Sequence, residues 1–502
     1  MIDGTLQRHA FVVVFTATLI IGVAVYGRHP TTNPPGFFID ESSVAYNAFT
    51  ISETGRDEYG MSWPLYFRAF GDYKNPVYVY LLALIFRFTG PSILVARMFS
   101  ATLGIMTPLL VGLIGYRLTR QRWIAWALMA MSFATPWLFV LSRSVVEVAM
   151  YPLAVALFLL AVVRVAEKKR WKWIDALGIA LTLALLTYTY SIGRLLAPLL
   201  AFGLVIFAKR VGILSVARAW LIYAASLAPL FIFRWRHPGM LEARFTLLTY
   251  LTPQLGYGSS VKTFVGHYLN NINPWRMVFT GDPSAYQIAS TYGTGPVLLI
   301  TFVLAVASVC VLLSQKRFNA WWWFVIYGLL VSIVPASLTR EYFHILRLSP
   351  LPVFLIVLTI PALSWLAYEP TTIKRALLAL AVVVICGQAI YFQVVNERRG
   401  REAFRQNMFD ADYRSKILPT ALAASGSNPI YIQDAPAIPG YIQAKWYATL
   451  GHLPRDKFVV VPTGSTVPES AIVISTQATC DACEVLFERS PYRVYRSNSR
   501  AR

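Results

Sequence analysis

Two pairs of charged residues have the type and spacing of a proton-transfer site. Asp40 and Glu41 are adjacent, and Arg143 and Glu147 are four residues apart in LSRSVVEVAMYP. A carboxylate within hydrogen-bond reach of a hydroxyl can act as a general base. Two structural alternatives stay open: Asp40 could cap a helix beginning at ESSVAYNAF, and Arg143 and Glu147 could form a helical ion pair. The candidate catalytic residues are therefore Asp40, Glu41 and Glu147.

A second set of residues has the chemistry to bind an anion. Lys74 lies in GDYKNPVYVY, and His344 and Arg347 are three residues apart in LTREYFHILRLSP. Ammonium and guanidinium groups donate strong hydrogen bonds to phosphate oxygens. Lys74 could instead be a snorkelling anchor, and a lone histidine such as His344 is usually structural. With Arg143, these three residues form the predicted anion-binding set.

Four further residues are candidates for contacts with a substrate. Tyr73 and Asn75 flank Lys74, Arg194 lies in YSIGRLLAP, and Asp282 lies in the tripeptide GDP. Arg194 could equally anchor a helix at the membrane interface, and the tripeptide around Asp282 could be a simple turn. We therefore expect these four residues near a site without assigning them a chemical step.

The composition shows what kind of protein must position these residues. The chain has 502 residues, of which 56% are apolar and 14% are charged, and its mean hydropathy is +0.54. Ordinary soluble domains carry about 25% charged residues. Apolar runs of about 20 residues, the length that spans a bilayer as a helix, recur along the chain. This pattern predicts a polytopic α-helical membrane protein and excludes a soluble enzyme, a coiled coil and a disordered chain.

We predict about eleven transmembrane helices. The short apolar segment 76–89 carries Arg87 and is predicted to be an interfacial helix. The first apolar run lacks an obvious small-residue cleavage site, so we expect an uncleaved first helix. The predicted spans are 10–27, 92–116, 123–140, 148–166, 173–189, 194–208, 211–233, 296–314, 319–337, 345–367 and 376–394.

The loop charges predict how these helices are oriented. The net charge is +21, and fourteen cations fall in alternate loops against four in the short loops of the other side. Because cytoplasmic loops carry the excess of Lys and Arg, we expect a cytoplasmic N-terminus. Residues 28–91, 234–295 and 395–502 are then extracytoplasmic. Since the loops account for the basic balance, we expect no nucleic-acid partner.

The composition changes at residue 395. Short β-like segments occur in NPIYIQ, KFVVVP, AIVIST and YRVYR, and the helix-like segment YIQAKWYATLGHL lies between the first two. We therefore predict a transmembrane module over 1–394 and a small extracytoplasmic α/β domain over 395–502. Cys480 and Cys483 form the motif CDAC, for which a local disulfide is one possibility outside the cytosol.

The order of these motifs resembles that of the GT-C glycosyltransferases, of the dolichyl-phosphate-mannose protein mannosyltransferase and lipid A aminoarabinose transferase type. The resemblance covers about residues 28–350, and the helix count matches the mannosyltransferase branch. The motifs that carry it are Asp40-Glu41 after the first helix, Lys74-Asn75-Pro76 before an aromatic run, Arg143 to Glu147, Gly281-Asp282, and His344 to Arg347.

The resemblance implies an enzyme that transfers a sugar from a polyprenyl-phosphate-linked donor to an acceptor hydroxyl at the extracytoplasmic face. It implies Asp40 as the base with Glu41 beside it, and Glu147 at the second acidic position. Lys74 takes the position of a lysine that contacts the donor phosphate. The expected reaction is a single displacement, which inverts the configuration at the anomeric carbon. The leaving phosphate needs cations, for which Arg143 and the His344–Arg347 pair are further candidates.

This sequence departs from the family pattern at two positions. Asn75 stands where proline often follows the lysine, and Ser43 stands where some members have arginine. Both departures concern how the donor phosphate is bound.

No cofactor is required in principle, and a divalent metal is possible but not predicted. The expected partners are the lipid bilayer, the polyprenyl-phosphate sugar, and an acceptor that is a lipid, a glycan or a protein. The expected location is a prokaryotic plasma membrane.

The sequence has no Walker loop, HExxH or GxSxG motif in a supporting context, which disfavours nucleotide-driven transport and hydrolysis. Two alternatives stay open: a non-catalytic translocator or binding subunit for lipid-linked sugars, and an envelope polymer ligase with a diphosphate-linked donor.

Overall fold

The chain folds into two compact units, as seen in a computed structural model that describes residues 2–284, 287–369, 371–435, 438–462, 465–477 and 483–498. The helical unit comprises Met1–Arg28, Gly71–Tyr78 and Ser100–Asn396. The mixed unit comprises His29–Phe70, Val79–Phe99 and Glu397–Arg502. The mixed unit thus contains the C-terminal segment and also parts of the N-terminal region, which the sequence analysis assigns to the module over 1–394.

The helical unit contains helices that coincide with the predicted spans. The first four segments of this kind are α1 (Ile2–Gly27), α4 (Ile93–Thr119), the pair α5 (Arg122–Ala134) and α6 (Pro136–Leu141), and α7 (Tyr151–Val165). The next are α8 (Trp173–Thr189), α9 (Gly193–Gly203), α10 (Ala208–Val211), α11 (Ile213–Ser226) and α12 (Ala228–Arg236). The last are α15 (Leu299–Ser314), α16 (Ala320–Val331), α17 (Val334–Ser337), α18 (Leu351–Leu358), α19 (Ile360–Ala367) and α20 (Thr372–Arg399).

Proline explains why several of these spans are interrupted. Pro136, Pro229, Pro335 and Pro361 each stand in the first turn of the second piece of an interrupted span. Proline lacks an N–H and clashes with the preceding turn, so it suits the first turn of a helix and ends the one before it. Among the described residues, five helical segments are long and apolar enough to cross a bilayer.

Two of these long helices have very different surroundings. In the most apolar window of Glu147–Val165, 83% of the residues are buried inside the protein, whereas in Thr372–Arg399 only 6% are. An apolar helix with so little protein around it suits a lipid environment. The helix over Glu147–Val165 therefore belongs to the centre of the helical unit, and the helix over Thr372–Arg399 lies at its surface.

The predicted outer segment 234–295 also contains helices. They are α13 (Ala243–Leu248), α14 (Tyr257–Asn271) and a π-helical turn over Arg276–Thr280. The predicted span over 345–367 is corrected at its start, because residues 341–350 form turns and α18 begins at Leu351. Proline at 350, the N-cap, accounts for this boundary, since the residue before a proline disfavours the helical conformation.

The mixed unit contains α2 (Ile39–Thr54), the strand β1 (Phe67–Ala69) and most of α3 (Pro76–Thr89); the strand β2 (Asp72–Lys74) belongs to the helical unit. It also contains α21 (Ala403–Met408), α22 (Leu418–Ser425) and α23 (Tyr441–Leu450), as well as a five-stranded sheet. The strands of this sheet are β3 (Ile430–Gln433), β4 (Phe458–Val461), β5 (Ile472–Ser475), β6 (Cys483–Arg489) and β7 (Tyr492–Ser497).

The sheet has the strand order β4-β3-β5-β7-β6. β3 pairs in parallel with β4 and β5, with Ile430 opposite Phe458 and Ile472, and β7 pairs antiparallel with β5 and β6. The four predicted strands and the helix between the first two are present. The sequence analysis missed β6, an edge strand whose charged residues hide its pattern. Cys483 is disulfide-bonded, and Cys480 lies outside the described residues.

A hydrogen-bond network joins α2 to the C-terminal part of the mixed unit. The Ser42 hydroxyl donates to the Gln443 amide oxygen at 2.6 Å, and the Gln443 amide donates to the Phe37 carbonyl at 2.8 Å. Gln443 and the Tyr492 hydroxyl both donate to one oxygen of Asp410, at 2.7 and 2.9 Å. Burial raises the pKa of the Asp410 carboxyl to about 7.

A buried ion pair fixes the chain just before α2. Glu41 is 0% exposed and Arg97 is 2% exposed, and their closest charged atoms are 2.8 Å apart. The Arg97 guanidinium also donates to the carbonyls of Pro30, Pro34 and Gly36 at 3.0, 2.7 and 2.9 Å. One side chain from the start of α4 thus holds the whole of residues 30–41 in place.

Replacing Arg97 with Met should destabilise the protein by about 3–5 kcal/mol, because the Glu41 charge stays buried without its partner. Thermal unfolding of the detergent-solubilised chain measures this. Arg87→Met, at an exposed position of α3, is the matched control and should change stability by only a few tenths of a kcal/mol. Equal losses in the two variants would contradict the assignment.

The Asp410 network predicts a pH-dependent gain in stability for Asp410→Asn. Because the unfolded chain gives up this proton near pH 4 and the folded chain only near pH 7, the folded state loses stability as the pH rises from about 4 to about 7. Asn keeps the acceptor oxygen and tolerates the φ of +49° at this position. The gain in melting temperature should be a few degrees at pH 8 and clearly smaller at pH 5, where only the first part of that loss has occurred. The exposed control Asp456→Asn should show no such pH dependence.

Candidate functional site

Asp40 lies in the first turn of α2 in the mixed unit and is partly exposed. The structural alternative that Asp40 caps this helix is excluded, since Phe38 is the N-cap residue. The Glu41 carboxylate does the capping and accepts the Phe38 backbone N–H at 2.8 Å. The positive end of the helix dipole favours a carboxylate at the Asp40 position. Glu41, in contrast, is fully buried against Arg97 and has no access to a substrate.

In the helical unit, Asn75 joins two of the predicted site residues. Its backbone N–H makes a short hydrogen bond to Glu147 Oε1, and its side-chain amide lies 3.4 Å from the same oxygen. Arg194 Nη2 donates to Asn75 Oδ1 at 3.3 Å, and Arg194 Nη1 donates to the Leu241 carbonyl at 2.7 Å. The structure therefore brings Asn75, Glu147 and Arg194 together, although they lie far apart in the sequence.

The residue beside Lys74 that sequence analysis missed is Asp72. Burial raises the pKa of this carboxyl, and a backbone N–H from Tyr73 at 2.6 Å opposes the shift. The positive charges of Arg244, Arg194 and Lys74 also lower it. Three cations therefore act on one carboxylate, in a part of the helical unit continuous with the Asn75 contacts.

Glu341, His344 and Arg347 form a second cluster in the helical unit. The Arg347 guanidinium contacts Glu341 at 2.8 Å and donates to the Thr339 hydroxyl at 2.8 Å. His344 Nε2 lies 3.4 Å from the same Glu341 oxygen, and the His344 Nδ1 atom has no hydrogen-bond partner among the described residues. The predicted pair His344 and Arg347 therefore points towards the same carboxylate oxygen. Its anion is a carboxylate that is about half exposed, so an incoming phosphate can compete for Arg347.

The two clusters share the electrostatic influence of Arg244. Burial is the largest of the causes that lower the pKa of His344 to about 3, and the charges of Arg347 and Arg244 contribute to the same shift. His344 is therefore neutral at physiological pH, and Arg347 carries the positive charge of the pair. Arg244 acts on both His344 and Asp72, which connects the cluster around Lys74 with the cluster around Arg347.

Asp282 belongs to the cluster around Arg347. Its carboxylate accepts the backbone N–H groups of Ser284 at 2.9 Å and Ile345 at 3.1 Å. Burial is the main cause that raises the pKa of Asp282 to about 6. The charge of Glu341 acts in the same direction, and the two backbone hydrogen bonds and the charge of Arg347 oppose it. Asp282 therefore positions the turn that carries His344 and Arg347, which is a role beyond the simple turn considered from the sequence.

Two predicted site residues have clear structural contacts. Arg143 is 8% exposed, donates to the carbonyls of Tyr26 and Arg28 at 2.8 Å each, and lies over the Phe139 ring. It thereby anchors the end of α1. Tyr73 packs edge-on against Phe233, with ring centroids 5.2 Å apart.

The sequence offered little signal for the residues that it missed. Arg97 and Arg244 stand in no motif, and Asp72 lies two residues before Lys74 in GDYKNPVYVY without a recognisable role of its own; only the fold places each beside a partner. A buried arginine at the start of an apolar helix is costly unless it is paired, which was the one available hint for Arg97. No group of three His, Cys, Asp or Glu side chains that could hold a metal ion occurs in the parts of the chain that are described.

Comparisons with known proteins agree with the resemblance seen in the sequence. Residues 73–235 match the family model described as dolichyl-phosphate-mannose-protein mannosyltransferase. The chain also matches two crystal structures of ArnT from Cupriavidus metallidurans. The apo structure matches with a TM-score of 0.60 at 14% identity, and the structure bound to undecaprenyl phosphate with a TM-score of 0.58 at 12% identity.

Each of these two alignments covers 98% of both chains. No curated protein matches the sequence significantly. At such low identity the structural likeness establishes the fold, and the family match covers the region from Tyr73 to the end of α12. The predicted resemblance is thereby confirmed: the chain has the GT-C fold of the mannosyltransferase and aminoarabinose-transferase type.

Proposed function

We propose that this protein is a membrane glycosyltransferase that moves a sugar from a polyprenyl-phosphate-linked donor to an acceptor hydroxyl. The observation that carries the proposal is the likeness to ArnT over 98% of both chains, including a form of ArnT bound to undecaprenyl phosphate. The family match over residues 73–235 supports the same reaction class. The matched region contains Lys74, Glu147 and Arg194, and Asp72 lies directly before it.

The cations of the helical unit are suited to the leaving group. When the C1–O bond of the donor breaks, its electron pair goes to the phosphate oxygen, and positive charge nearby stabilises it. Arg347 is held by Thr339 and contacts an exposed carboxylate that a phosphate can replace. Lys74, Arg194 and Arg244 supply further positive charge around Asp72. His344, being neutral, offers a hydrogen bond rather than a charge.

Asp40 is the proposed base, as the resemblance implies. The acceptor oxygen attacks C1 while its proton passes to the Asp40 carboxylate, and the polyprenyl phosphate leaves. This single displacement inverts the anomeric centre and needs no covalent intermediate. The partial exposure of Asp40 supports this role, whereas the complete burial of Glu41 supports a positioning role for its neighbour.

The proposed topology has eleven spans with a cytoplasmic N-terminus in the plasma membrane. The segment 76–89 is an interfacial helix, and the active site and the C-terminal α/β domain face outside. The excess of Lys and Arg in alternate loops supports this orientation. The acceptor is a hydroxyl of a lipid, a glycan or a protein in the envelope.

The decisive variant is Asp40→Asn. Purified protein is incubated with a panel of radiolabelled polyprenyl-phosphate sugars and native envelope extract. The wild type should release one sugar from its lipid and label an acceptor. Asp40→Asn should lower the transfer rate by about 100-fold or more while leaving donor binding nearly unchanged, because it removes the base alone.

Glu53→Gln is the matched control for Asp40→Asn, because it removes an exposed carboxylate from the same helix. It should retain wild-type transfer. If the wild type binds a donor and never consumes it, the protein is a translocator or a binding subunit. If only diphosphate-linked donors react, the ligase alternative replaces the proposal.

Arg347→Gln tests the phosphate role. We expect donor affinity to fall by about tenfold or more, since one guanidinium–phosphate contact is lost. The matched control is Arg340→Gln, which removes the same charge from the same segment. The Arg340 guanidinium donates to the Thr249 carbonyl at 2.9 Å, so this variant should bind the donor nearly as the wild type does. Binding of the labelled donor to both variants, with melting temperatures as a check of folding, decides between them. Equal affinities would remove Arg347 from the phosphate site.

A further inference from the structure

A cavity of about 750 Å³ lies in the helical unit, and the residues of the proposed reaction do not line it. Its wall is built from the ends of several helices, α4, α7, α15 and α19 among them. The residues that line it come from every one of the five loops that the charge pattern assigns to the cytoplasmic side. The fold therefore gathers these five loops around one opening.

The cavity is strongly basic. Five arginines line it, with two glutamates, Glu167 and Glu369, as the acidic residues of the same wall. These arginines are Arg117, Arg120, Arg164, Arg210 and Arg317. All five are exposed, and within the described ranges none forms an ion pair. Several guanidinium groups around one volume repel one another unless an anion lies between them. The cavity thus has the electrostatic character of an anion site.

Part of the remaining wall is apolar. Tryptophans and aliphatic residues line the same cavity, among them Trp123, Trp365, Val311, Leu312 and Ile360. Val311 and Leu312 belong to α15, and Ile360 begins α19, so the apolar part of the wall continues into the spanning helices. Tryptophan is typical of the headgroup level of a bilayer. The site therefore offers positive charge at its rim and apolar surface towards the membrane.

We propose that this cavity binds the headgroup of an anionic phospholipid on the side of the membrane opposite to the proposed active site. Basic pockets between transmembrane helices on the cytoplasmic side suit such headgroups. Guanidinium groups pair with the phosphate through parallel hydrogen bonds, and the apolar wall accommodates the glycerol and the first part of the acyl chains. A soluble phosphate shares the first feature of this chemistry and lacks the second.

Native mass spectrometry of the full-length protein tests the proposal. The protein is titrated in detergent with phosphatidylglycerol, which is anionic, and with phosphatidylethanolamine, which is zwitterionic. The triple variant Arg117→Gln/Arg164→Gln/Arg317→Gln should lose about tenfold or more in apparent affinity for phosphatidylglycerol, because three charges at the headgroup are removed. The wild type should retain phosphatidylglycerol in preference to phosphatidylethanolamine.

The matched control is Arg122→Gln/Lys169→Gln/Lys316→Gln. It removes three exposed charges from the same loops at positions that do not line the cavity. It should change the affinity by less than about twofold, because charge away from a site is screened. A second variant, Arg117→Lys/Arg164→Lys/Arg317→Lys, keeps the charge and loses the parallel hydrogen bonds, so it should bind phosphatidylglycerol more tightly than the triple glutamine variant and less tightly than the wild type.

Three outcomes would overturn the proposal. The two glutamine variants could lose affinity equally, which would indicate a general effect of charge. The wild type could retain both lipids equally, which would remove the requirement for an anion. Glycerol 3-phosphate could displace phosphatidylglycerol at equal concentration, which would identify the ligand as a soluble phosphate.

Discussion

The cost of taking a charge out of water determines where the ionisable side chains of this chain can lie. More than half of the residues are apolar, so a charge placed among them needs a partner close by. Glu41 has Arg97, and Arg97 in turn uses three carbonyl groups before α2. Arg143 uses two carbonyls at the end of α1. These contacts set the two segments on which the candidate site residues stand.

The same cost separates positioning residues from accessible ones. Glu41 is fully enclosed, whereas Asp40 keeps part of its surface in solvent. Arg143 and Arg347 are equally buried, but Arg143 donates to backbone carbonyls, whereas Arg347 contacts a carboxylate that is itself half exposed. Burial also removes the charge of His344, which leaves Arg347 as the cation of that pair. Adjacent or nearly adjacent residues therefore have different roles, because their surroundings differ more than their chemistry.

Charge also distinguishes the two sets of loops of the helical unit. One set carries the clusters around Asp72 and Arg347, in which acids and cations alternate. The other set surrounds a cavity in which five arginines face two glutamates. A lipid-linked substrate and a membrane phospholipid present the same kind of group, a phosphate on an apolar tail.

Hydropathy by itself predicted the positions of the apolar helices, because a run of about 20 apolar residues is a local property of the chain. The short β-like segments that form β3, β4, β5 and β7 are local features too. Proline positions also explain the interruptions. Partners brought together from distant segments were decided only by the tertiary structure: Asn75 with Glu147 and Arg194, Asp72 with Arg244, and Glu41 with Arg97. Such contacts depend on how helices pack, and neither residue type nor spacing along the chain encodes that.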